Sequence, residues 1–150
     1  LSFNALVQGF LADTVAQSAR ELGVTHGLLH LGESYAIGQH RDGRDWSLAV
    51  MGTPEDGEID LVGTVDFADA GLAVSAHDVT RKLVNPITGA VLQHDRVVAV
   101  VSREGASVAD AFATAFAVAD KSQWDSLYQS LIISEPGSVK IWQKNRLVFE

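Results

Sequence analysis

Hydrophobic positions in this chain repeat with two periods, one helical and one of two residues. Over residues 5–22, Ala5, Leu6, Phe10, Val15, Ala19 and Leu22 recur at intervals of about 3.6 residues, which predicts an amphipathic helix. Asn4 is placed to cap its first turn, and Gly23 stands where a C-capping glycine belongs. His26 to Leu31 reads as a buried strand, with His30 among leucines as a core or strand-face histidine. Tyr35 to Gly38 continues an edge, Arg41-Asp42-Gly43-Arg44 carries an Asp-Gly hairpin signal, and Trp46 to Met51 is the returning strand. After a turn over Thr53 to Gly57, apolar residues from Ile59 to Phe67 alternate with polar ones, the mark of a half-buried strand. Asp69 to Gly71 turns the chain into a short strand, Leu72 to Ser75.

The second half opens with the strand-like run Val97 to Val101, followed by a helix that Ser107 is placed to cap. Ser122 is placed to cap a further helix, with Trp124, Leu127, Tyr128 and Leu131 on its apolar face. Glu135-Pro136-Gly137 is a turn, and Val139 to Gln143 with Leu147 to Phe149 reads as a closing hairpin around Lys144-Asn145. Trp142 is expected to pack against the sheet. Hairpins with few crossover signals predict an α+β fold in a single domain over residues 1–150.

Composition narrows the function classes. The 150 residues are 47% hydrophobic, enough for a real core and unlike a disordered chain. A formal net charge of −8 argues against nucleic acid as the main partner. No apolar run approaches the roughly 20 residues of a membrane span. The chain has no cysteine, which excludes disulfides and thiolate metal sites.

Candidate chemistry gathers in Ala109-Asp110-Ala111-Phe112-Ala113-Thr114-Ala115. Asp110 and Thr114 project from one helix face, and a carboxylate beside a hydroxyl offers two hard oxygen ligands of the kind Mg²⁺ takes. Asp110 reads equally as a first-turn charge favoured by the helix dipole, with Thr114 at the edge of the core. Glu33 reads as a ligand-facing group or as a solvated loop acid. His77 and Asp78 read as a proton relay or as a hydrogen-bonded loop pair.

Four stretches, in order, resemble the ApbE-type flavin transferases (FAD:protein FMN transferases). Asp110 and Thr114 lie in a segment similar to the family's Ala-Asp-Ala-x-Ala-Thr-Ala. Residues Asn4 to Asp13 resemble its Gly-Ala-Ile-Ala-Lys-Gly-Tyr-x-x-Asp helix start. Leu29-His30-Leu31-Gly32-Glu33 resembles its Gly-Gly-Glu/Asp strand and loop, and Asn85-Pro86-Ile87-Thr88-Gly89 its Asp-Pro-x-Thr-Gly turn. The resemblance implies a T-fold-like core of antiparallel hairpins packed with helices, in which the hairpin at residues 41–44 scaffolds the flavin site. It implies FAD as substrate, Mg²⁺ as cofactor, and transfer of the FMN moiety to a Ser or Thr of an acceptor protein with release of AMP. Carried over by position, it assigns Asp110, Thr114 and the Val7 carbonyl to the metal. Gly32, Glu33, Ser75 and Gln8 fall to the cofactor, and Lys82, Asn85 and Thr88 to the diphosphate or the acceptor hydroxyl.

Departures from the family pattern cluster at polar positions. Gln8 replaces a lysine, Ala76 a glycine, Lys82 a histidine and Asn85 an aspartate. Lysine can hold a phosphate but cannot replace imidazole as an acid–base group near neutral pH, and asparagine cannot act as a carboxylate base. Two alternatives to transfer therefore stand: a relative that binds a flavin or nucleotide without transferring it or catalyses a different reaction, and a non-catalytic interaction domain. Family members carry a substantial N-terminal half that this chain does not contain. The chain is thus expected to be a processed product, a trimmed form, one chain of a two-chain protein with an N-terminal partner, or a short relative. Bacterial members are commonly exported, so the resemblance also implies a periplasmic or exported location.

Overall fold

The apolar run at residues 97–101 becomes the middle of a sheet because both of its faces are covered. The computed structural model describes residues 3–52, 60–76, 83–92, 96–130, 138–143 and 146–150. Among them, strands β1 (Gly27–Leu31), β2 (Glu33–Ile37), β5 (Ala70–Ala76), β6 (Arg96–Ser102), β7 (Val139–Gln143) and β8 (Arg146–Phe149) form one antiparallel sheet in the order β1-β2-β5-β6-β7-β8. Strands β3 (Trp46–Gly52) and β4 (Asp60–Phe67) pair as a separate hairpin. Three α-helices join them: α1 (Asn4–Glu21), α2 (Ala106–Val118) and α3 (Trp124–Ser130).

Alternate residues of β6 serve two cores. Val98 and Val100 pack with Phe116 and Ala113 of α2 and with Ile141. Val97 and Ala99 pack on the other side with Val50, Val65 and Trp142, beneath the β3–β4 hairpin. The order is thus helices, sheet, hairpin. A strand buried on both faces loses the polar alternation of a surface strand and shows as an unbroken apolar run, here valines around Ala99. Trp142 packs against the sheet as expected.

Several local expectations are overridden by tertiary contacts. The buried strand of the first hairpin is β2, whereas β1 is a half-buried to exposed sheet edge. His30 lies on its strand face, with Nδ1 2.8 Å from Ser34 Oγ. The Arg41–Arg44 turn forms, His40 N–H donating to Arg44 O at 2.9 Å, but β3 pairs with β4 and not with β2. On α1 the buried residues are Gly9, Ala12 and Ala16, while Phe10 is 67% and Leu22 87% exposed. Close approach of α1 to α2 selects small residues: a Cβ on Gly9 would sit 2.3 Å from the Ala106 carbonyl oxygen.

The expected caps also shift. Helix α1 begins at Asn4 itself, with Phe3 in the N-cap position. Helix α2 is preceded by Gly105, with Ser107 inside its first turn and Asp110 a turn further on. A short 3₁₀ turn, Lys121–Gln123, precedes α3, and Asp120 caps it with Gln123 in a reciprocal box in place of Ser122. At the C-terminus of α1, Gly23 N–H donates to Arg20 O and Val24 N–H to Ala19 O, so the expected glycine cap is present. The expected turns at Thr53–Gly57 and Glu135–Gly137, and residues His77, Asp78, Leu131, Lys144 and Asn145, lie outside the described residues.

Candidate functional site

Helix α2 carries the Asp110–Thr114 pair and is held at both ends by side chains from elsewhere. At its N-terminus the Asp13 carboxylate of α1 accepts from Ala106 N–H at 2.6 Å, Ser107 N–H at 3.0 Å and Ser107 Oγ–H at 2.6 Å. At its C-terminus the buried Arg96 guanidinium donates through Nη1 to Phe116 O, Ala117 O and Ala119 O at 2.8–3.1 Å and lies over the Trp124 ring. These are the orphan N–H and C=O groups that every helix end must satisfy. Neither residue stands out in a reading of local pattern. The signal for Asp13 is its place in the helix-start motif, and for Arg96 a cation opening an apolar strand.

Asp110 is 6% exposed. Among the described residues its one hydrogen bond is from Gly9 N–H to Oδ2, at 3.3 Å. Burial pushes its carboxyl above the usual aspartate range, and the Gly9 N–H only partly offsets this. Thr114, one turn along, has its Oγ1 3.2 Å from Ser75 Oγ on β5. Ser75 therefore belongs with Thr114 and not with the other expected cofactor residues. The described residues contain no cluster of three or more His, Cys, Asp or Glu side chains. A cation here would draw on one carboxylate, hydroxyls and backbone carbonyls. That donor set, with a carboxylate desolvated and under-bonded, fits a hard divalent cation that keeps waters or phosphate oxygens in its remaining positions.

Gln8, Gly32 and Glu33 lie together, and Val7, assigned by the resemblance to the metal, lies with them and not beside Thr114, which borders a different cavity. With His30 and Met51 they line a groove of about 1120 Å³ between the start of α1, the β1–β2 turn and β3. Gly32 has φ +99°, and a Cβ there would meet the Gln8 side chain at 2.9 Å, so the Gln8 amide lies over the turn. Glu33 is buried, which corrects the solvated-acid alternative, and its Oε2 accepts from Val74 N–H at 3.1 Å. It takes over that N–H just beyond the Ser34–Leu72 end of the β2–β5 ladder. The described lining of this groove includes no lysine or arginine.

Asn85 and Thr114 border a second, smaller cavity of about 490 Å³, between α2, α3 and the turn at residues 84–89. Asn85 Oδ1 accepts from Ile87 N–H at 2.9 Å and Thr88 N–H at 3.1 Å, and Gly89 N–H returns to Asn85 O at 2.8 Å. This is an Asx-type turn, so the Asn85 side chain is engaged in holding its own loop. Thr88 is exposed, its Oγ1 accepts from Ala90 N–H, and it does not border the cavity. Lys82 lies outside the described residues.

A model of the ApbE family matches residues 1–134. Among solved structures, the chain is similar to the ApbE protein of Thermotoga maritima, with TM-score 0.76 and 18% identity over 99% of this chain and 50% of that one. It is similar to the flavin transferase ApbE of Vibrio cholerae, with TM-score 0.69 and 20% identity over 93% and 48%. It is also similar to the apo form of the flavinyl transferase ApbE of Pseudomonas stutzeri, with TM-score 0.67 and 23% identity over 94% and 46%. The chain spans about half the length of these structures. No curated protein sequence matches it. The α+β arrangement expected from the sequence is the one observed, and it is that of the ApbE structures.

Proposed function

The chain belongs to the ApbE family, and on that basis we propose that it takes part in Mg²⁺-dependent transfer of the FMN moiety of FAD to a Ser or Thr hydroxyl of an acceptor protein. The observation that carries this reading is the buried Asp110 carboxylate, set against Gly9 N–H with Thr114 one turn away. In the reaction the acceptor oxygen bonds to the FMN phosphorus, the bond to the AMP phosphate breaks, and the hydroxyl proton is released. Mg²⁺, when bound, supplies charge neutralisation on the diphosphate.

The chain's own residues have separable roles. Asp110 and Thr114 would hold the cation, with the Val7 carbonyl as a third donor. Ser75 orients the Thr114 hydroxyl. Gln8, Gly32 and Glu33 border the flavin groove. The described residues lining that groove include no lysine or arginine, and bound Mg²⁺ would supply charge neutralisation to a diphosphate there. Asn85 and Thr88 shape the loop beside Thr114. The second reading, binding of a flavin or nucleotide without transfer, is favoured by Asn85, whose side chain offers no base and is engaged in its turn.

The test is calorimetric titration of FAD into the protein and into Asp110→Ala, with and without Mg²⁺, followed by an assay for AMP release with an acceptor. Mg²⁺-dependent binding that disappears in Asp110→Ala, together with AMP release, supports transfer. Binding without AMP release supports the second reading. Absence of FAD binding by folded protein overturns the transfer reading and leaves the second only for a ligand other than FAD.

A further inference from the structure

We propose that Asp13 is a positioning residue for the Asp110–Thr114 site: its carboxylate fixes the register of α2 against α1, and thereby holds the Asp110 carboxylate on the Gly9 N–H. The inference deepens the transferase reading and rests on it for its functional consequence.

Two contacts one turn apart define this register. Gly9 meets Asp110, and Asp13, one turn further along α1, meets Ala106 and Ser107, one turn back along α2. The helices therefore run past one another in opposite directions here. Asp13 is the polar anchor of the pair. Gly105 has no side chain with which to cap α2, and its φ of +130° brings the chain into the helix in a conformation that disfavours a residue with a Cβ. The freed N–H groups of Ala106 and Ser107 are taken by Asp13, whose Oδ2 also accepts the Ser107 hydroxyl. A negative charge at a helix N-terminus is favoured by both the hydrogen bonds and the dipole.

The surroundings leave α2 little freedom once this anchor is set. A Cβ on Gly9 would lie 2.3 Å from Ala106 O, and one on Gly71 of β5 would lie 2.1 Å from Ala106 N. The first turn of α2 is thus wedged between α1 and the sheet. Without the Asp13 anchor, the hydrogen bond that remains between the helices among the described residues is the single 3.3 Å one from Gly9, beside apolar contacts and the close Gly9–Ala106 backbone approach. Apolar contacts are non-directional, so they hold the helices together but define their register weakly. Asp13 touches neither the metal-facing oxygens nor the groove lining, so its effect reaches the site only through α2.

The experiment compares wild type with Asp13→Asn and Ser107→Ala by two readouts. The first is the Mg²⁺ concentration giving half-maximal FAD binding. The second, independent of both ligands, is the Gly9 amide chemical shift measured by NMR, which reports the Gly9–Asp110 bond and is referenced to its value in Asp110→Ala. Asp13→Asn should raise the Mg²⁺ midpoint about 10–100-fold, the range found when a partner that orients a metal ligand is removed. FAD affinity at saturating Mg²⁺ should stay near wild type, and the Gly9 amide shift should move to the value it takes in Asp110→Ala. Ser107→Ala, which keeps the carboxylate and removes one of its three donors, should shift the midpoint in the same direction by about threefold. It keeps the proposal decidable if Asp13→Asn does not fold. A folded Asp13→Asn with the wild-type Mg²⁺ midpoint and the wild-type Gly9 amide shift, whatever its melting temperature, overturns the proposal. A wild type that binds no FAD overturns the transferase reading alone, since the Gly9 amide still reports whether Asp13 positions Asp110.

Discussion

Gly9 and Asp110, 101 residues apart in the chain, are joined by a hydrogen bond from the glycine N–H to the carboxylate Oδ2 at 3.3 Å. The contact exists because Gly9 lacks a side chain. An added Cβ would lie 2.3 Å from Ala106 O and 2.6 Å from Ser107 Cα, both backbone atoms that cannot rotate away. Gly9→Ala should therefore push the helices apart, cost about 3 kcal/mol in a urea unfolding measurement, and abolish Mg²⁺-dependent FAD binding. A variant of wild-type stability would show that the helices do not approach so closely.

The burial of Asp110 has a pH signature. Its folded-state pKa is raised above the unfolded value, so between the two values the folded protein holds a proton that the unfolded chain has released. Stability from this group falls as pH rises through that window, and the penalty is complete above the folded pKa. Asp110→Asn should melt higher than wild type at pH 7, with the difference closing at a pH below both values. Asp69, held low by Gly38 N–H and the Arg20 guanidinium, acts in the opposite sense but is common to both proteins and cancels in the comparison. Added Mg²⁺ should raise the melting temperature of wild type and leave Asp110→Asn unchanged. Equal pH profiles for the two proteins would mean that Asp110 is not desolvated.

Arg96 predicts a stability loss remote from any ligand. Its Nη1 satisfies three carbonyls at the end of α2, and its guanidinium lies 4.8 Å from the Trp124 ring centre. Arg96→Met should cost about 2–4 kcal/mol, because the carbonyls lose a charged donor and the ring loses the nearer of its two cations, Lys121 remaining at 5.7 Å. Arg96→Lys should fall between, since an ammonium lacks the planar fork. Urea midpoints of the three proteins provide the ranking, and a neutral Arg96→Met would remove Arg96 as the cap.

Gln8 offers a gain-of-function test. It overlies Gly32 in a groove whose described lining carries no cation. Gln8→Lys should tighten FAD binding about tenfold at low ionic strength through charge-assisted contact with the diphosphate, with the gain shrinking as salt is added. Calorimetry at two salt concentrations measures this, and an unchanged affinity would place the diphosphate away from Gln8.

Asn85 separates loop structure from chemistry. Asn85→Ala should cost about 1 kcal/mol, through loss of the acceptor for Ile87 and Thr88 N–H. Asn85→Asp keeps an acceptor and should retain the turn while raising AMP release. Unchanged release from a folded Asn85→Asp would take position 85 out of the reaction.

The strength of the sequence reading followed the range of the interaction. Asp110 and Thr114 share a helix face because they are four residues apart, and that adjacency holds wherever the helix packs. The run at residues 97–101 and the pair of strands closed by Phe149 were legible for the same reason: β-branched and alternating patterns are local. The buried face of α1 was not legible. Hydrophobicity ranks Phe10 above Ala12, yet close helix approach ranks Gly9, Ala12 and Ala16 above Phe10, and only the position of α2 reveals which criterion applies.

Element types, the α+β class, the family-like motifs and the oxygen pair on α2 all follow from residue order, because periodicity and i, i+4 geometry act over a few residues. The caps, the strand partners and the environment of the site were decided in three dimensions. Ser107 reads in sequence as the cap of its own helix, but it lies inside the first turn, where the carboxylate of Asp13, more than 90 residues earlier, takes its N–H and hydroxyl together with the Ala106 N–H. A buried donor accepts whichever oxygen the fold brings to it. Asp110 likewise is a surface-compatible charge in the one-dimensional pattern. It becomes a desolvated carboxyl, bonded to Gly9 N–H, only when α1 closes over it.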